Sequence, residues 1–302
     1  IFDAVLHFYK KTNNKKYLNV VEKLLLNISS KGIYDHLEGG ISRYTVDEKW
    51  IVPHFEKMLY DNIQYVNLLN NYLSNKENNY LKQKLKQTIK FINSEFLVKN
   101  NLLGSAYDAD SDGIEGKYYV WKYQELKDSL GNDLEIFKKK YLISEKGNFE
   151  GSNILVENID QNENADSKIL EIEEKLLVIR KKRNKPFFDD KSQTDLNSFW
   201  IYVNLYSSII LNDKNLFEKS IKNFENFNRV FENKLFHCYN DNKQVDVFLE
   251  DYVYFSLLLL GIYELTNCKS SLEKCIRLMD EAWSNFFNSI EKVLQKNIVQ
   301  SN

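Results

Sequence analysis

The segment FLEDYVYFSLLLLGIYELT, residues 248–266, is apolar nearly all the way round a helical wheel from Tyr252 to Leu265. A helix without a polar face has to be buried. The next segment, Leu272 to Phe287, is different in kind. There Leu272, Cys275, Ile276, Met279 and Trp283 form one stripe with charges opposite, the pattern of a helix lying on a surface. The same order of inner and outer helix recurs upstream. Phe199 to Leu211 is apolar nearly all round, and Phe217, Ile221, Phe224, Phe227 and Phe231 are striped. Periodicity gives two earlier pairs: Ile1 to Tyr9 with Tyr17 to Ile28, and Phe55 to Leu73 with Leu81 to Phe96. Inner helices starting near residues 2, 54, 197 and 251 are about 52, 143 and 54 residues apart. A period near 50 built from alternating buried and striped helices predicts an all-α fold, an α/α toroid, with a plain α-solenoid as the competing reading.

The enlarged middle interval is irregular. Asn101 to Trp121 carries Gly104, Gly113 and Gly116 and ends in the β-prone Tyr118-Tyr119-Val120-Trp121, which predicts a β-hairpin. Trp121 to Tyr141 reads as helical and Ile143 to Asn164 as loop. Ser167 to Lys182 reads as a charged, exposed helix, with Lys181-Lys182-Arg183 as its solvated end.

Composition agrees with helices. The 302 residues contain only 10 Gly and 2 Pro, which disfavours collagen-like, Pro-rich and loop-dominated β designs, while 43% hydrophobic residues supply a core. A net charge of −2 with dispersed basic residues leaves no footprint for nucleic acid or an anionic membrane. The twelve-residue apolar run Tyr252 to Tyr263 is shorter than the roughly 18–20 residues that span a bilayer. Cys238, Cys268 and Cys275 lack the spacing of a disulfide framework or zinc knuckle, so a reducing cytoplasm is expected and no metal or cofactor. The chain opens at Ile1 inside an amphipathic pattern, as a fragment of a longer protein would.

Three polar stretches stand where inner helices begin. In Gly39 to Asn62, Pro53 suits a first helical turn, which would place His54 and Glu56 at the helix N-terminus. The dipole there keeps a histidine neutral and able to accept a proton. Lys57 and Asp61 would then lie near the His54 face and Tyr60 under Glu56, so the partner of an acid/base pair must come from another helix start. Arg43, Tyr44, Asp47 and Trp50 add more polar and aromatic groups than a helix start requires, although a lone histidine there is usually a cap or a core residue. Tyr107 to Trp121 begins as the D-x-D-x-D-G of a calcium loop, but Tyr119 stands where the bidentate Glu belongs. It therefore reads as an Asp-stabilised turn whose Asp108, Asp110 and Glu115 can face a pocket. Pro186 to Asn197 and Phe248 to Tyr252 put Asp190, Lys191, Asn197, Asp251 and Tyr252 at two further helix starts. N-capping explains single acids at such places, but not their repetition beside aromatics.

These strings resemble the YyaL and spermatogenesis-associated protein 20 family: GGISRYTVDEKWIVPHFEKMLYDN (39–62), YDADSDGIEGKYYVW (107–121), KGNFEGSNIL (146–155), KPFFDDKSQTDLN (185–197) and FLEDYVYFSLLLLGIYELT (248–266). The resemblance implies an (α/α)6 toroid of the six-hairpin glycosidase and N-acylglucosamine 2-epimerase type, incomplete here, with a small β-hairpin insertion. Residues 1–302 would form one partial toroid domain. The family's N-terminal thioredoxin-like domain and the last hairpins lie outside this chain. The family pattern near DDK-x-L-T-x-W-N-G is altered, with Gln193, Leu196 and Ser198 at the Leu, Trp and Gly positions.

A carbohydrate-like ligand follows as the expected partner, with the thioredoxin-like domain as the neighbour in the whole protein. The expected catalytic groups are His54, Glu56, Asp61 and Asp251. Arg43, Tyr44, Trp50, Lys57, Tyr60, Asp108, Asp110, Glu115, Tyr119, Asp190, Lys191, Asn197 and Tyr252 are expected to hold substrate. In an epimerase-like version His54 moves the proton, and in a hydrolase-like version paired carboxylates act. The opposing hypothesis is a non-catalytic binding or scaffold toroid.

Overall fold

A computed structural model describes residues 1–158, 167–231, 235–240, 243–244, 246–289, 291–296 and 298. The chain divides into two units, Ile1–Ser94 with Ala106–Asp189, and Glu95–Ser105 with Asp190–Asn302.

In the first unit the helices are α1 (Phe2–Thr12), α2 (Lys15–Ser30), α3 (Leu59–Leu73), α4 (Asn79–Glu95), α5 (Tyr123–Leu130), α6 (Leu134–Lys140) and α7 (Ser167–Arg180). Asn13 in the left-handed region ends α1, and the Asn14 side chain caps α2 by accepting from Lys16 N at 3.0 Å, so two residues make the turn. The first pair reverses the expected order. Only Leu6 of α1 is buried, whereas α2 buries Leu18, Val21 and Leu25, because Phe8 stays outside and packs on Tyr17. Helix α7 is not the exposed helix expected. Its Ile169, Ile172 and Leu176, at helical spacing, join Trp121, Leu126, Leu130, Leu134 and Phe137 in one core. Arg183 is no solvated end either, since its guanidinium donates to the Tyr118 and Val120 carbonyls and to Glu125.

Short strands fill the places where the chain passes between helices. They are β1 (Tyr44–Thr45), β2 (Pro53–His54), β3 (Lys57–Met58), β4 (Ala106–Tyr107), β5 (Asp110–Ser111), β6 (Ile114–Glu115) and β7 (Phe188–Asp189). β1 pairs antiparallel with β2, setting Tyr44 opposite His54. β3, β4 and β7 form a three-stranded sheet. The β-hairpin lies at β5–β6, turned by Asp112 and Gly113 with φ of 52° and 72°. It does not extend to Tyr118–Trp121, where the sequence predicts its end: Tyr118 and Tyr119 lie in a turn, and Trp121 forms an isolated antiparallel bridge with Asn153.

The second unit holds β8 (Ser192–Gln193), α8 (Thr194–Leu211), α9 (Lys214–Val230), β9 (Cys238–Asn240), β10 (Lys243–Gln244), α10 (Leu249–Thr266), α11 (Lys269–Phe286), β11 (Phe287–Asn288) and β12 (Val293–Leu294). The inner and outer distinction holds here. α8 and α10 bury residues round most of their circumference, while α9 buries only Ser220 and Phe227. Ile201, Leu205, Phe227, Phe255, Leu258, Leu259, Ile262 and Phe286 share one core. Gly261 lets α10 approach α8, since a Cβ there would meet the Tyr202 ring at 2.9 Å. Among the described residues no helix is long and apolar enough to cross a membrane, and none of the three cysteines is in a disulfide.

Candidate functional site

From Pro53 to Tyr60 the burial alternates residue by residue: Pro53, Phe55, Lys57 and Leu59 point inward, while His54, Glu56, Met58 and Tyr60 are only half-buried. That is the period of a strand. The expectation that Pro53 opens a helix is therefore corrected, and α3 begins at Leu59. His54 and Glu56 lie on extended chain because β1 claims the backbone of His54 and Arg43 N–H donates to Glu56 O at 2.9 Å. Lys57 consequently does not share the face of His54. Asp61 does fall in a first helical turn.

The inward face leads to a buried ion cluster. Lys57 Nζ donates to Asp35 Oδ2 at 2.7 Å and to Gly39 O at 3.0 Å. Arg180 holds the same carboxylate bidentately at 2.8 and 2.9 Å and reaches Glu38 at 3.1 Å. Burial alone would raise the Asp35 pKa, but the Arg180 and Lys57 cations override it and keep the carboxyl well below the usual range. Lys57 also sits over the Phe91 and Tyr119 rings, 4.3 and 4.9 Å from their centres. A cavity lined by Tyr34, Asp35, His36, Lys57, Tyr119 and Arg180 has ≈ 30 Å³ of free space, room for about two waters. It is too small for a sugar ring.

A second buried cluster adjoins it. Glu157 accepts from Lys84 at 2.9 Å and from Tyr80 at 2.6 Å. His36 Nε2 lies 3.1 Å from the Lys31 carbonyl, which can only accept, so Nδ1 is left to take the Lys84 ammonium at 3.2 Å. Burial, helped by Lys84, lowers the His36 pKa and keeps the ring neutral.

The outward face is where the expected residues gather. Tyr44 stacks on His54 with ring centres 4.9 Å apart, and His54 Nδ1 meets Glu115 Oε1 at 2.9 Å. Arg43 donates to Glu56 at 3.0 Å, and both act electrostatically on Asp61. Burial pushes the Asp61 carboxyl up to about 7, with Arg43 opposing and Glu56 adding to it. Its Oδ2 is buried and has no hydrogen-bond partner among the described residues. Tyr60, whose hydroxyl is raised by burial, borders Arg43.

Other expected residues have structural duties. Trp50 adopts φ 62° and accepts Gly32 N–H at 3.0 Å on its carbonyl, while Asp47 caps the Lys49, Ile51 and Val52 amides. Tyr119 stacks on Phe55 at 5.8 Å. Asp108 turns onto its neighbour's amide, and Asp110 is exposed opposite Glu115. Asp112 is held by Lys117 and Asn184, the Asp-stabilised turn that the motif predicted.

In the second unit Asp190 and Lys191 are exposed, and Tyr252 packs edge-on against Phe286. Asn197 is buried and fastens both backbone groups of Leu103, accepting at 2.7 Å and donating at 3.1 Å. Asp251 is fully buried; it accepts Phe248 N–H at 2.8 Å and faces His237 Nδ1 at 3.0 and 3.1 Å. That hydrogen bond raises the His237 pKa against the effect of burial, and burial with the Asp251 charge raises Asp195. Sequence reasoning missed His237, Asp195, Asp35 and Arg180. His237 offered one signal, as a histidine in the short segment between an outer and an inner helix.

No family model matches the chain. Its fold is that of the six-hairpin glycosidase and epimerase toroids. A family 76 glycoside hydrolase from a bovine Bacteroides thetaiotaomicron strain superposes with a TM-score of 0.59, covering 99% of this chain and 50% of that one at 10% identity. The cellobiose 2-epimerase of Spirochaeta thermophila gives 0.51, over 91% and 56%, at 8% identity. In sequence the chain is similar to human spermatogenesis-associated protein 20, 26% identical over an alignment of 311 positions that covers 87% of this chain. The mouse protein is 27% identical over 84% of it. These matches bear out the resemblance read from the motifs. The chain spans about 40% of the length of the human relative.

Proposed function

We propose that this chain is the toroid portion of a thioredoxin-domain-containing protein of the spermatogenesis-associated protein 20 type, and that it binds or processes a carbohydrate-like ligand in the cytoplasm. Both units are read as parts of one toroid domain. The observation that carries the catalytic part is the Asp61 carboxyl, protonated near neutrality beside a Glu56 carboxylate that Arg43 holds as an ion pair. A carboxyl raised toward neutrality beside a carboxylate held in an ion pair is the kind of pair that glycoside hydrolysis uses as acid and base. Asp61 donates to the leaving oxygen and Glu56 supports the reacting carbon or its water. The stacked Tyr44–His54 pair offers a flat surface for a sugar ring. The second reading is epimerase-like proton transfer at His54, favoured by its bond to Glu115.

The test screens sugars, sugar phosphates and glycosides against the full-length protein by thermal shift, followed by NMR for turnover. Asp61→Asn is expected to lower kcat at least 100-fold with little change in binding, and turnover by wild type should fall as pH rises through about 7. Loss of turnover with His54→Ala but not with Asp61→Asn selects the epimerase reading. Saturable binding without product under every condition leaves a binding toroid and rejects both.

A further inference from the structure

Asp195, His237 and Asp251 each present a ligand atom, and these atoms lie within 4.8 Å of one another. They converge from the first turn of α8, the segment ahead of β9 and the first turn of α10. His237 Nδ1 stands 3.0 and 3.1 Å from the two Asp251 oxygens. Around a six-coordinate ion with bonds of about 2.1 Å, adjacent donors are about 3.0 Å apart and opposite donors about 4.2 Å. Around a tetrahedral zinc they would be about 3.4 Å apart. The His237–Asp251 separation equals that of adjacent octahedral ligands as well as that of a hydrogen bond, and Asp195 closes on the ion from within 4.8 Å.

Proton accounting outside the cluster points the same way. Ser105 Oγ has one proton and lies 2.5 Å from Lys191 O and 3.1 Å from the Gln193 side-chain amide. The carbonyl can only accept, so it takes that proton. Gln193 must then turn its N–H to Ser105 and its oxygen to His237 Nε2, 3.1 Å away. His237 donates through Nε2 and leaves Nδ1 to the aspartates, which is how a metal-bound imidazole is held by a carbonyl behind it. A third carboxylate, Glu250, adds negative charge to both Asp195 and His237, and its Oε2 is buried with no hydrogen-bond partner among the described residues. Three carboxylates thus act on one imidazole, an excess of negative charge that a cation would offset.

We propose that Asp195, His237 and Asp251 bind one divalent cation of the Mn²⁺ class, with Gln193 and Ser105 fixing the ring from behind. One imidazole with two carboxylates suits Mn²⁺ better than Ca²⁺, which prefers oxygen throughout, or soft Cu(I). Binding displaces the proton that Nδ1 otherwise shares with Asp251, and that proton goes to solvent. This site is independent of the carbohydrate reading and departs from the expectation of no metal.

The test strips the full chain with a chelator and titrates it with Mn²⁺ alone, followed by electron paramagnetic resonance and calorimetry in two buffers of different ionisation enthalpy. Expected are one Mn²⁺ per chain, proton release, and at least tenfold weaker binding by both Asp195→Asn and His237→Gln. Melting curves in chelator show that each variant keeps its fold, and Asp195→Asn, nearly isosteric, serves if His237→Gln does not. Absence of saturable binding, or binding that Asp195→Asn leaves unchanged, overturns the proposal. Neither outcome depends on whether any sugar is turned over.

Discussion

Lys57 and Asp61 stand four residues apart and meet opposite treatment. Lys57 is buried with its charge matched by Asp35, whereas Asp61 is half-buried with no hydrogen bond to Oδ2. The pH consequence follows from sign. The ordinary Asp61 value is 3.8 and the folded value about 7, so between them the folded chain keeps a proton that the unfolded chain has lost. Stability therefore falls as pH rises from about 4 to about 7, and the loss is complete above that. Asp61→Asn removes the penalty. It is expected to stabilise the chain by about 2 kcal/mol more at pH 8 than at pH 5 in denaturant titrations, and an equal effect at both pH values would contradict a raised Asp61. Lys57 shows why this region misleads a reader of sequence. A lysine at an inward position breaks the apolar alternation that would have marked a strand, and Arg180, which shares its partner Asp35, is far along the chain.

Among the elements, α3 and α8 begin with the same device. Each follows directly from a strand, and each carries a buried asparagine at its fourth residue. Asn62 accepts Ile41 N–H at 2.8 Å and donates to Ile41 O at 3.0 Å and Met58 O at 2.8 Å. Asn197 does the same with Leu103 at 2.7 and 3.1 Å and Gln193 O at 2.9 Å. Replacing either by Ala strands an amide and a carbonyl at a buried position. Asn197→Ala is expected to cost about 2–4 kcal/mol by chemical denaturation, with Asn197→Asp, which keeps the acceptor, intermediate. The helical hairpins were legible because α8 and α10 are apolar all round while their successors are striped. Apart from the local β5–β6 hairpin, the strands were not, because each is two or three residues long and owes its existence to a partner elsewhere: β3 at Lys57 pairs with Tyr107. The asparagines were visible as letters, and only coordinates reveal that Asn197 serves the backbone before any substrate.

For the whole molecule, the repeat period and motif strings led to the toroid class, and structural neighbours at 8–10% identity confirm it at the level of fold alone. Of the expected site, the outward group Arg43, Tyr44, His54, Glu56, Tyr60, Asp61 and Glu115 is gathered in the first unit, and Asp251 lies in the second with a histidine that no motif announced. The first unit is held from within by Arg180. Replacing it by Met leaves buried Asp35 with Lys57 alone and Glu38 with the half-exposed Lys181 alone. Arg180→Met should destabilise the first unit by about 3–5 kcal/mol, read by hydrogen exchange of its core amides.

That same guanidinium carries a temporal consequence. Asp35 and Arg180 are 145 residues apart in the chain. At about 5–20 residues per second, a ribosome needs roughly 7 to 30 s to travel from one to the other. Throughout that interval the nascent Asp35 has no Arg180, the first unit cannot close, and its apolar surfaces are in the keeping of whatever chaperones attend the tunnel exit.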